Sequence, residues 1–274
     1  MSSQTLKRHL FIIGAMKCGT SSLFEYLKEH SDIIPSKYKE PEYFTPNQSN
    51  KIDLDSYYDL WPSDANINSY LMEASTGYTK DNYANDVVVK IDNLNSINKF
   101  VYLVRDPVIR IESHLNFIKQ TTNLKGALDE HSLSISKYYS QIKPYLDTFG
   151  ADSILVLDFD DLKDRPEFVL NQVFEFLEIK PQFPTSYSVH NKLESLGYLH
   201  RVIRSSKALR NIIIKLFPYS FISFVANSLP KNKSVVKKKL TEDEILLIRT
   251  SIDSDISKFG KFFNFPIEKW GFEK

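Results

Sequence analysis

A short polar loop, Lys17-Cys18-Gly19-Thr20-Ser21-Ser22, contains the residue types that hold a phosphate-like group. The loop directly follows the apolar run 10–14, and its small residues are suited to the start of a helix. The first N–H groups of a helix have no partner within the helix, so they favour an anion at that end of it. The segment therefore predicts an anion site beside a lysine ammonium group.

The position of that lysine separates this loop from a nucleoside triphosphate loop. A Walker loop has a glycine, four residues, a second glycine, a lysine and Ser or Thr, so its lysine follows the second glycine. Gly14 and Gly19 keep this spacing, but Thr20 stands at the lysine position and Lys17 precedes Gly19 by two residues. We therefore expect the cation to contact a different atom of the ligand.

A second candidate anion contact is Arg105, which follows the buried apolar run 100–104. In open parallel sheets the ligand crevice lies beyond the carboxyl ends of the strands, so Arg105 and the polar loop are predicted to share a cleft. The guanidinium group suits a phosphate, and Ser113, about two helical turns further on, offers a hydroxyl donor. From the residues alone, a structural ion pair between Arg105 and Asp106 explains the arginine equally well.

The elements that position these residues alternate between short apolar strands and amphipathic helices. This alternation is typical of a parallel sheet covered on both faces, and it predicts an α/β, P-loop-like fold of three layers with a central parallel sheet flanked by helices. In the helix that starts near Glu167, we expect Phe168 to be buried with the apolar residues that follow. The predicted strands are residues 10–14, 70–73, 100–104 and 154–157. The predicted helices are residues 20–29, 107–119, 167–177 and, from a capping box at Thr241, 241 to about 259.

Composition limits the classes of protein to which the chain can belong. Its 274 residues, 42% of them hydrophobic, are enough for one large core, and we expect one domain over 1–274. The 35 basic and 34 acidic side chains give a net charge of +1, so no overall field attracts nucleic acid or an anionic membrane. The single cysteine, Cys18, fits a reducing, cytoplasmic compartment, and a small loop residue is favoured over a reactive thiol.

The region from about 205 to 240 is predicted to be a helical apolar insertion followed by a basic loop. Its apolar run 209–229 is interrupted by Arg210, Lys215 and Pro218, whereas a membrane span needs about 20 apolar residues. We predict a packed hairpin or lid there, with an acceptor-binding or membrane-touching surface as the alternative. The lysines of 231–239 indicate a solvated loop or, alternatively, a patch that receives an anion.

Three segments stand in a characteristic order: the loop 17–22, Lys39-Glu40-Pro41-Glu42-Tyr43-Phe44, and Val104-Arg105-Asp106-Pro107 followed by Ser113. Their order and spacing resemble the sulfotransferase superfamily, in particular the branch that contains the heparan-sulfate sulfotransferases and their bacterial relatives, and the resemblance covers residues 10–270. There are two departures. Glu42 stands where a histidine or asparagine is frequent. Ala74 stands where heparan-type enzymes tend to have a lysine, which weakens the case for a heparan-like acceptor.

The resemblance implies a donor, an acceptor class and roles for the site residues. The loop of Lys17, Cys18, Gly19, Thr20, Ser21 and Ser22 is expected to hold the 5′-phosphosulfate of 3′-phosphoadenosine 5′-phosphosulfate, and Arg105 with Ser113 its 3′-phosphate. Glu40 is expected to be the catalytic base, with Glu42 and His114 as alternatives. No metal is expected. The implied acceptor is a hydroxyl or amine of a carbohydrate, with a lipid or small metabolite as the alternative.

The chemistry of sulfuryl transfer agrees with the lysine position. Negative charge grows on the oxygen between phosphorus and sulfur, and Lys17 inside the loop is positioned to stabilise it. Two rival functions remain. A nucleotide kinase or ATPase would use Asp158, after the strand 154–157, to hold Mg²⁺, but Thr20 argues against it. A noncatalytic anion-binding module would have little use for Glu40.

Overall fold

The computed structural model describes residues 6–46, 53–80, 83–121, 127–187 and 237–273. Its centre is a five-stranded sheet in which every neighbouring pair of strands is parallel, in the order β2-β3-β1-β4-β5. The α/β class with a central parallel sheet flanked by helices is therefore confirmed. The strands are β1 Arg8–Gly14, β2 Ile33–Pro35, β3 Tyr70–Ala74, β4 Ile97–Val104 and β5 Ile154–Asp158.

Nine α-helices and three 3₁₀ turns surround the sheet in the part of the chain described. The helices are α1 Thr20–Leu27, α2 Leu54–Tyr58, α3 Ala84–Asp92, α4 Pro107–Thr121, α5 Glu130–Ser134, α6 Tyr138–Phe149, α7 Phe159–Asp164, α8 Pro166–Leu177 and α9 Glu242–Phe263. The 3₁₀ turns are Thr76–Thr79, Ala151–Ser153 and Ile267–Trp270.

The two central strands form the middle of the core. The apolar residues of β1 from Leu10 to Ile13 are at most 1% exposed, and those of β4 from Phe100 to Val104 are fully buried. Both strands are continuously apolar because helices cover both faces of a parallel sheet. Within β3, Glu73 is a buried carboxyl group, 1% exposed, that lies opposite Phe11 of β1.

Some boundaries and one burial prediction differ from the sequence-based expectation. Strand β2 was not predicted, because three residues are too few to show a periodicity. Helix α1 ends at Leu27, two residues earlier than predicted, whereas α9 continues to Phe263, where Asn264 in the left-handed conformation ends it. The expectation that Phe168 is buried is wrong: the side chain is 45% exposed and packs under the Arg165 guanidinium group.

The predicted insertion at 205–240 lies outside the described residues except for 237–240, which have no regular secondary structure and lead into α9. A hairpin, lid or basic loop there stays a prediction, and so does the single-domain organisation. Among the described helices, none combines the length and apolar character that a membrane crossing requires.

Candidate active site

The polar loop connects the end of β1 to the start of α1 at the carboxyl edge of the sheet. The Ala15 N–H donates to Leu103 O of β4 at 2.7 Å, which holds the loop against the neighbouring strand. Lys17 and Gly19 both have left-handed backbone conformations, with φ of 70° and 87°. No side chain caps α1, so its first N–H groups stay available to a ligand at the loop.

Gly19 is required at the start of α1 for two reasons. Its φ of 87° is unfavourable for any residue with a β-carbon, and a β-carbon there would lie 2.7 Å from the ring of Phe159. The Phe159 ring therefore packs directly against the backbone of the loop. The absence of a side chain at Gly19 therefore allows Phe159, the first residue of α7, to pack against the loop.

Lys17 is a half-buried cation surrounded by other cations. Its ammonium nitrogen lies 4.6 Å from the centre of the Phe117 ring of α4. Burial and, to a smaller extent, the positive charges of Arg105, Lys39 and Arg110 together lower the pKa of Lys17 to about 8. Such a cluster gains free energy from a nearby anion, which would raise the pKa of the lysine again.

Arg105 follows β4 and is close enough to Lys17 to lower the pKa of that lysine. Its guanidinium carbon lies 4.5 Å from the centre of the Phe159 ring, the ring that also packs against Gly19. Asp106 is not its ion-pair partner: the Asp106 carboxylate accepts the N–H groups of Val108 at 2.8 Å and Ile109 at 3.3 Å and so caps α4. The structure thus brings Arg105 and the loop together, as the sequence predicted.

Ser113 lies in α4, half-buried, on the helix that Asp106 caps. The next residue, His114, is buried, and neither ring nitrogen has a hydrogen-bond partner within the described chain. Burial and, to a smaller extent, the positive charge of Arg110 lower the pKa of His114 to about 3, so the imidazole is neutral at physiological pH. A neutral imidazole has a nitrogen that can accept a proton, but the His114 ring is buried, which makes it a less suitable base.

Glu40 lies in the segment that crosses the carboxyl end of β3. Its N–H donates to Ala74 O at 2.8 Å, and its carboxylate accepts the Thr76 N–H at 2.9 Å and the Lys39 ammonium at 2.5 Å. Burial alone would raise its pKa, but Lys39 and the hydrogen bonds from Glu42 and Thr76 outweigh burial and lower the pKa to about 2. The side chain as a whole is 29% exposed, so it is not sealed inside the fold.

Glu42 is the second acid of the same segment. Its carboxyl group accepts the Gly77 N–H at 2.9 Å, and its own N–H donates to Ser75 Oγ at 3.1 Å. Burial and the Glu40 carboxylate together raise the pKa of Glu42 to about 8, and Lys80 opposes the shift. The two neighbouring acids therefore differ in ionisation at neutral pH.

Three further groups near the site were missed by sequence reasoning. Glu73 accepts hydrogen bonds from the hydroxyl groups of Tyr57 at 2.9 Å and Ser75 at 3.0 Å, and burial raises its pKa to about 7. Arg110 is fully buried and donates to Met16 O, in the loop, at 3.2 Å. The positive charge of Lys80 lowers the pKa of both Glu42 and His114. Of these three residues, only Glu73 had a sequence signal that could have revealed it, because it is a charged residue within an apolar strand.

Two other residues have structural explanations. Cys18 is fully buried, and burial raises the pKa of its thiol to about 11, so the neutral thiol predominates. Asp158 caps α7 by accepting the Asp160 N–H at 2.9 Å, and it forms an ion pair with Lys269. Its carboxylate is therefore engaged within the fold.

The fold has a parallel sheet, a loop between β1 and α1 whose helix start has no side-chain cap, and an arginine after β4. A family model described as a sulfotransferase domain matches residues 7–196. Because this match covers more than half of the chain, the protein belongs to the sulfotransferase family, and the resemblance inferred from the motifs is confirmed.

Similar proteins support this assignment. The chain is 25% identical over 198 residues to the mouse bifunctional heparan sulfate N-deacetylase/N-sulfotransferase 4, a match that covers 63% of this chain and 22% of that protein. It is 24% identical over 211 residues to the mouse heparan sulfate glucosamine 3-O-sulfotransferase 3B1, covering 72% and 52%. The chain thus spans about half or less of the length of these relatives.

A solved structure shows the same fold. The crystal structure of a sulfotransferase from Alicyclobacillus acidocaldarius is 23% identical in sequence, with a TM-score of 0.53. The match covers 76% of this chain and 96% of the bacterial one. The architecture described above is therefore that of a known sulfotransferase.

Proposed function

We propose that this protein transfers a sulfuryl group from 3′-phosphoadenosine 5′-phosphosulfate to a hydroxyl or amine of a carbohydrate acceptor. The observation that carries the proposal is that Lys17 and Arg105 lie close to each other beside the start of α1, where no side chain caps the first N–H groups. Family membership supports the reaction class. The names of the relatives, which are heparan sulfate sulfotransferases, support a carbohydrate acceptor.

The donor has anionic groups at two positions, and the site has cations at two positions. In this proposal the loop 17–22 binds the 5′-phosphosulfate through its N–H groups and Lys17, whereas Arg105 and Ser113 bind the 3′-phosphate. Within the described chain no ion pair joins Lys17 or Arg105 to a carboxylate, so both cations are available to an anionic donor.

The reaction would form a bond between the acceptor oxygen or nitrogen and sulfur. At the same time the bond from sulfur to the bridging oxygen breaks, and its electron pair stays on the phosphate of the leaving nucleotide. Lys17 stabilises this growing negative charge, an effect that is strongest for a preorganised cation in a partly buried site. The donor has no β,γ-phosphate pair for a metal to bridge, so no metal is required.

Glu40 would accept the proton that the acceptor loses. Its low pKa keeps it ionised throughout the physiological range, and Thr76 and Lys39 hold the carboxylate in place. General-base catalysis of this kind contributes about 10²- to 10⁴-fold to a rate. Glu42, whose raised pKa keeps it protonated at neutral pH, is the less suitable of the two acids for this step.

The compartment and the acceptor surface stay predictions. A reducing, cytoplasmic location rests on the single cysteine. A peripheral membrane contact through 209–229 concerns residues outside the described ranges. The rival nucleotide kinase is not favoured, because Asp158 is used to cap α7 and to pair with Lys269.

Donor binding can be tested by thermal shift. We expect 3′-phosphoadenosine 5′-phosphate to raise the melting temperature without Mg²⁺, and ATP with Mg²⁺ to have little effect. The opposite ranking would support a kinase. Turnover with a labelled sulfonate donor and a panel of glycans then tests catalysis, and binding without transfer to any acceptor would indicate a noncatalytic module.

A further inference from the structure

Glu40 and Glu42 are held side by side in an unusual backbone conformation. Both have left-handed φ angles, 59° and 52°, which are uncommon for residues other than glycine and are concentrated at functional sites. The result is that both carboxyl groups meet the start of the same 3₁₀ turn. Thr76 donates its N–H to Glu40 and Gly77 donates its N–H to Glu42, each at 2.9 Å.

The position of Glu42 depends on the absence of a side chain at residue 77. A β-carbon on Gly77 would overlap the Glu42 carboxyl group, so the acid occupies the space that a larger residue would fill. The φ of Gly77 lies outside the left-handed region, so an alanine there would fit the backbone but would displace the Glu42 carboxyl group from its present position. Ser75 holds the backbone of Glu42 and also donates to Glu73.

Two carboxyl groups held by consecutive N–H groups of one turn do not ionise independently, because the two negative charges repel each other. The charged and titratable groups around the pair decide where a shared proton resides. Lys39 forms an ion pair with Glu40, and the buried Glu73 interacts electrostatically with Glu40. Glu42 interacts electrostatically with Lys80 and with the hydroxyl groups of Tyr78 and Tyr145. The negative charge is therefore placed on Glu40 and the proton on Glu42.

We propose that Glu42, as a carboxylic acid, is a positioning residue for the Glu40 base. One oxygen of Glu42 accepts the Gly77 N–H, and its O–H donates to the Glu40 carboxylate, which keeps that carboxylate oriented and the pair at a single negative charge. This inference rests on the proposed function, because it assigns a partner to the base of that reaction. A single charge also limits repulsion of an anionic sulfonate donor.

The pair makes the reaction sensitive to alkaline pH. The pKa of Glu42 is raised to about 8 by burial and by the Glu40 carboxylate. As pH rises through this value, Glu42 loses its proton, Glu40 loses a hydrogen-bond donor, and a second negative charge appears at the site. We therefore expect kcat at saturating donor to decline above about pH 8. Saturating donor keeps Lys17 paired with an anion and protonated, so its own titration does not interfere.

Three variants separate positioning from structure. Glu42→Gln keeps both hydrogen bonds, since its amide donates to Glu40 and its carbonyl accepts from Gly77, but it cannot titrate. Glu42→Ala removes both, and Gly77→Ala displaces Glu42 without altering it. Glu175→Gln, an exposed change on α8, is the control. We expect Glu42→Gln to keep kcat within about threefold and lose the alkaline decline, and the two alanine variants to lose about tenfold or more in kcat.

A ¹³C-carboxyl NMR titration of glutamate-labelled protein provides a readout that needs no turnover. We expect one resonance, absent in Glu42→Gln, to titrate near pH 8. Titration of Glu42 near the ordinary value of about 4.3 would overturn the inference. Wild-type kcat and pH dependence in Glu42→Ala would also overturn it. Failure of the proposed function can be distinguished from failure of this inference. If the proposed function is wrong, the wild-type protein will not bind 3′-phosphoadenosine 5′-phosphate.

Discussion

Lys17 belongs to the loop before α1, where its backbone is left-handed, and its ammonium group lies 4.6 Å from the centre of the Phe117 ring. The sequence showed the unusual position of this lysine, and it predicted that Lys17 and Arg105 lie at the same edge of the sheet. The sequence did not decide whether Arg105 binds a ligand or pairs with Asp106. That required coordinates, because the Asp106 carboxylate has two possible partners and only the structure shows it capping α4.

The division of roles between the two cations gives a kinetic prediction. Lys17→Ala is expected to lower kcat more than donor affinity, because the ammonium acts on charge that develops during transfer. Arg105→Ala is expected mainly to weaken donor binding. Single-turnover kinetics and calorimetry with 3′-phosphoadenosine 5′-phosphate measure the two quantities separately. Equal effects of both changes on both quantities would contradict this division.

Matched controls exist for both variants. Lys28 is an exposed lysine at the end of α1, and Lys28→Ala should leave both quantities unchanged. Arg165 lies over the Phe168 ring as Arg105 lies over Phe159, each with 4.5 Å from the guanidinium carbon to the ring centre. Arg165→Ala therefore removes a similar arginine–aromatic contact at an exposed position.

Donor affinity should depend on pH through Lys17. The pKa of Lys17 is lowered to about 8 by burial and by Arg105, whereas a bound anion would raise it. Affinity should therefore be constant below about pH 8 and weaken as pH rises through that value. Calorimetric titrations with 3′-phosphoadenosine 5′-phosphate from about pH 6.5 to about 9.5 measure this. Lys17→Arg, whose side chain stays charged, should lack the decline; the same decline in both proteins would assign it elsewhere.

At the scale of elements, long periodic segments were predictable and short ones were not. The capping box at the start of α9 is present: Thr241 Oγ1 accepts the Glu244 N–H at 3.2 Å, and Glu244 accepts the Thr241 N–H at 2.9 Å. By contrast, β2 has three residues, and the 3₁₀ turn Thr76–Thr79 has four. The contacts of Glu40 and Glu42 depend on that turn, so sequence analysis could name Glu40 but not describe what holds it.

The junction of β1 and α1 can be tested through Gly19. Gly19→Ala should destabilise the protein by about 1–2 kcal/mol through its φ alone, with a further loss from contact with Phe159. Gly271 has a left-handed conformation close to that of Gly19, with φ of 76° and ψ of 29°, and the nearest atoms to a β-carbon added there belong to the flexible end of the Arg249 side chain, so Gly271→Ala serves as the control for the backbone cost. Denaturant unfolding measures both. Equal destabilisation by the two changes would show that the Phe159 contact is unimportant.

At the scale of the whole molecule, the strand order assembles the site. Strand β1 lies between β3 and β4, so the carboxyl ends of the three central strands bring together the loop, the Thr76–Thr79 turn and Arg105. The sequence predicted every strand except β2, and it predicted their parallel direction. The strand order and the partners of Glu42, Glu73 and Arg110 arise from contacts between residues that are distant along the chain, so no local pattern shows them.

The buried Glu73 should make the stability of the whole fold pH-dependent. Its folded pKa of about 7 lies above its ordinary value of 4.5, because burial disfavours the charged form. Between these values the folded protein binds a proton that the unfolded chain has lost, so its contribution to stability falls as pH rises. The free energy of unfolding of wild type should fall more steeply between about pH 5 and about 7 than that of Glu73→Gln. Parallel curves would contradict the assignment.

The measurement that tests the central claim most directly is a crystal structure of the complex with 3′-phosphoadenosine 5′-phosphate. The account predicts that the Lys17 ammonium contacts an oxygen of the 5′-phosphate, at the start of α1, while Arg105 contacts the 3′-phosphate. A nucleotide bound elsewhere, with the Lys17 side chain turned away into solvent, would contradict it.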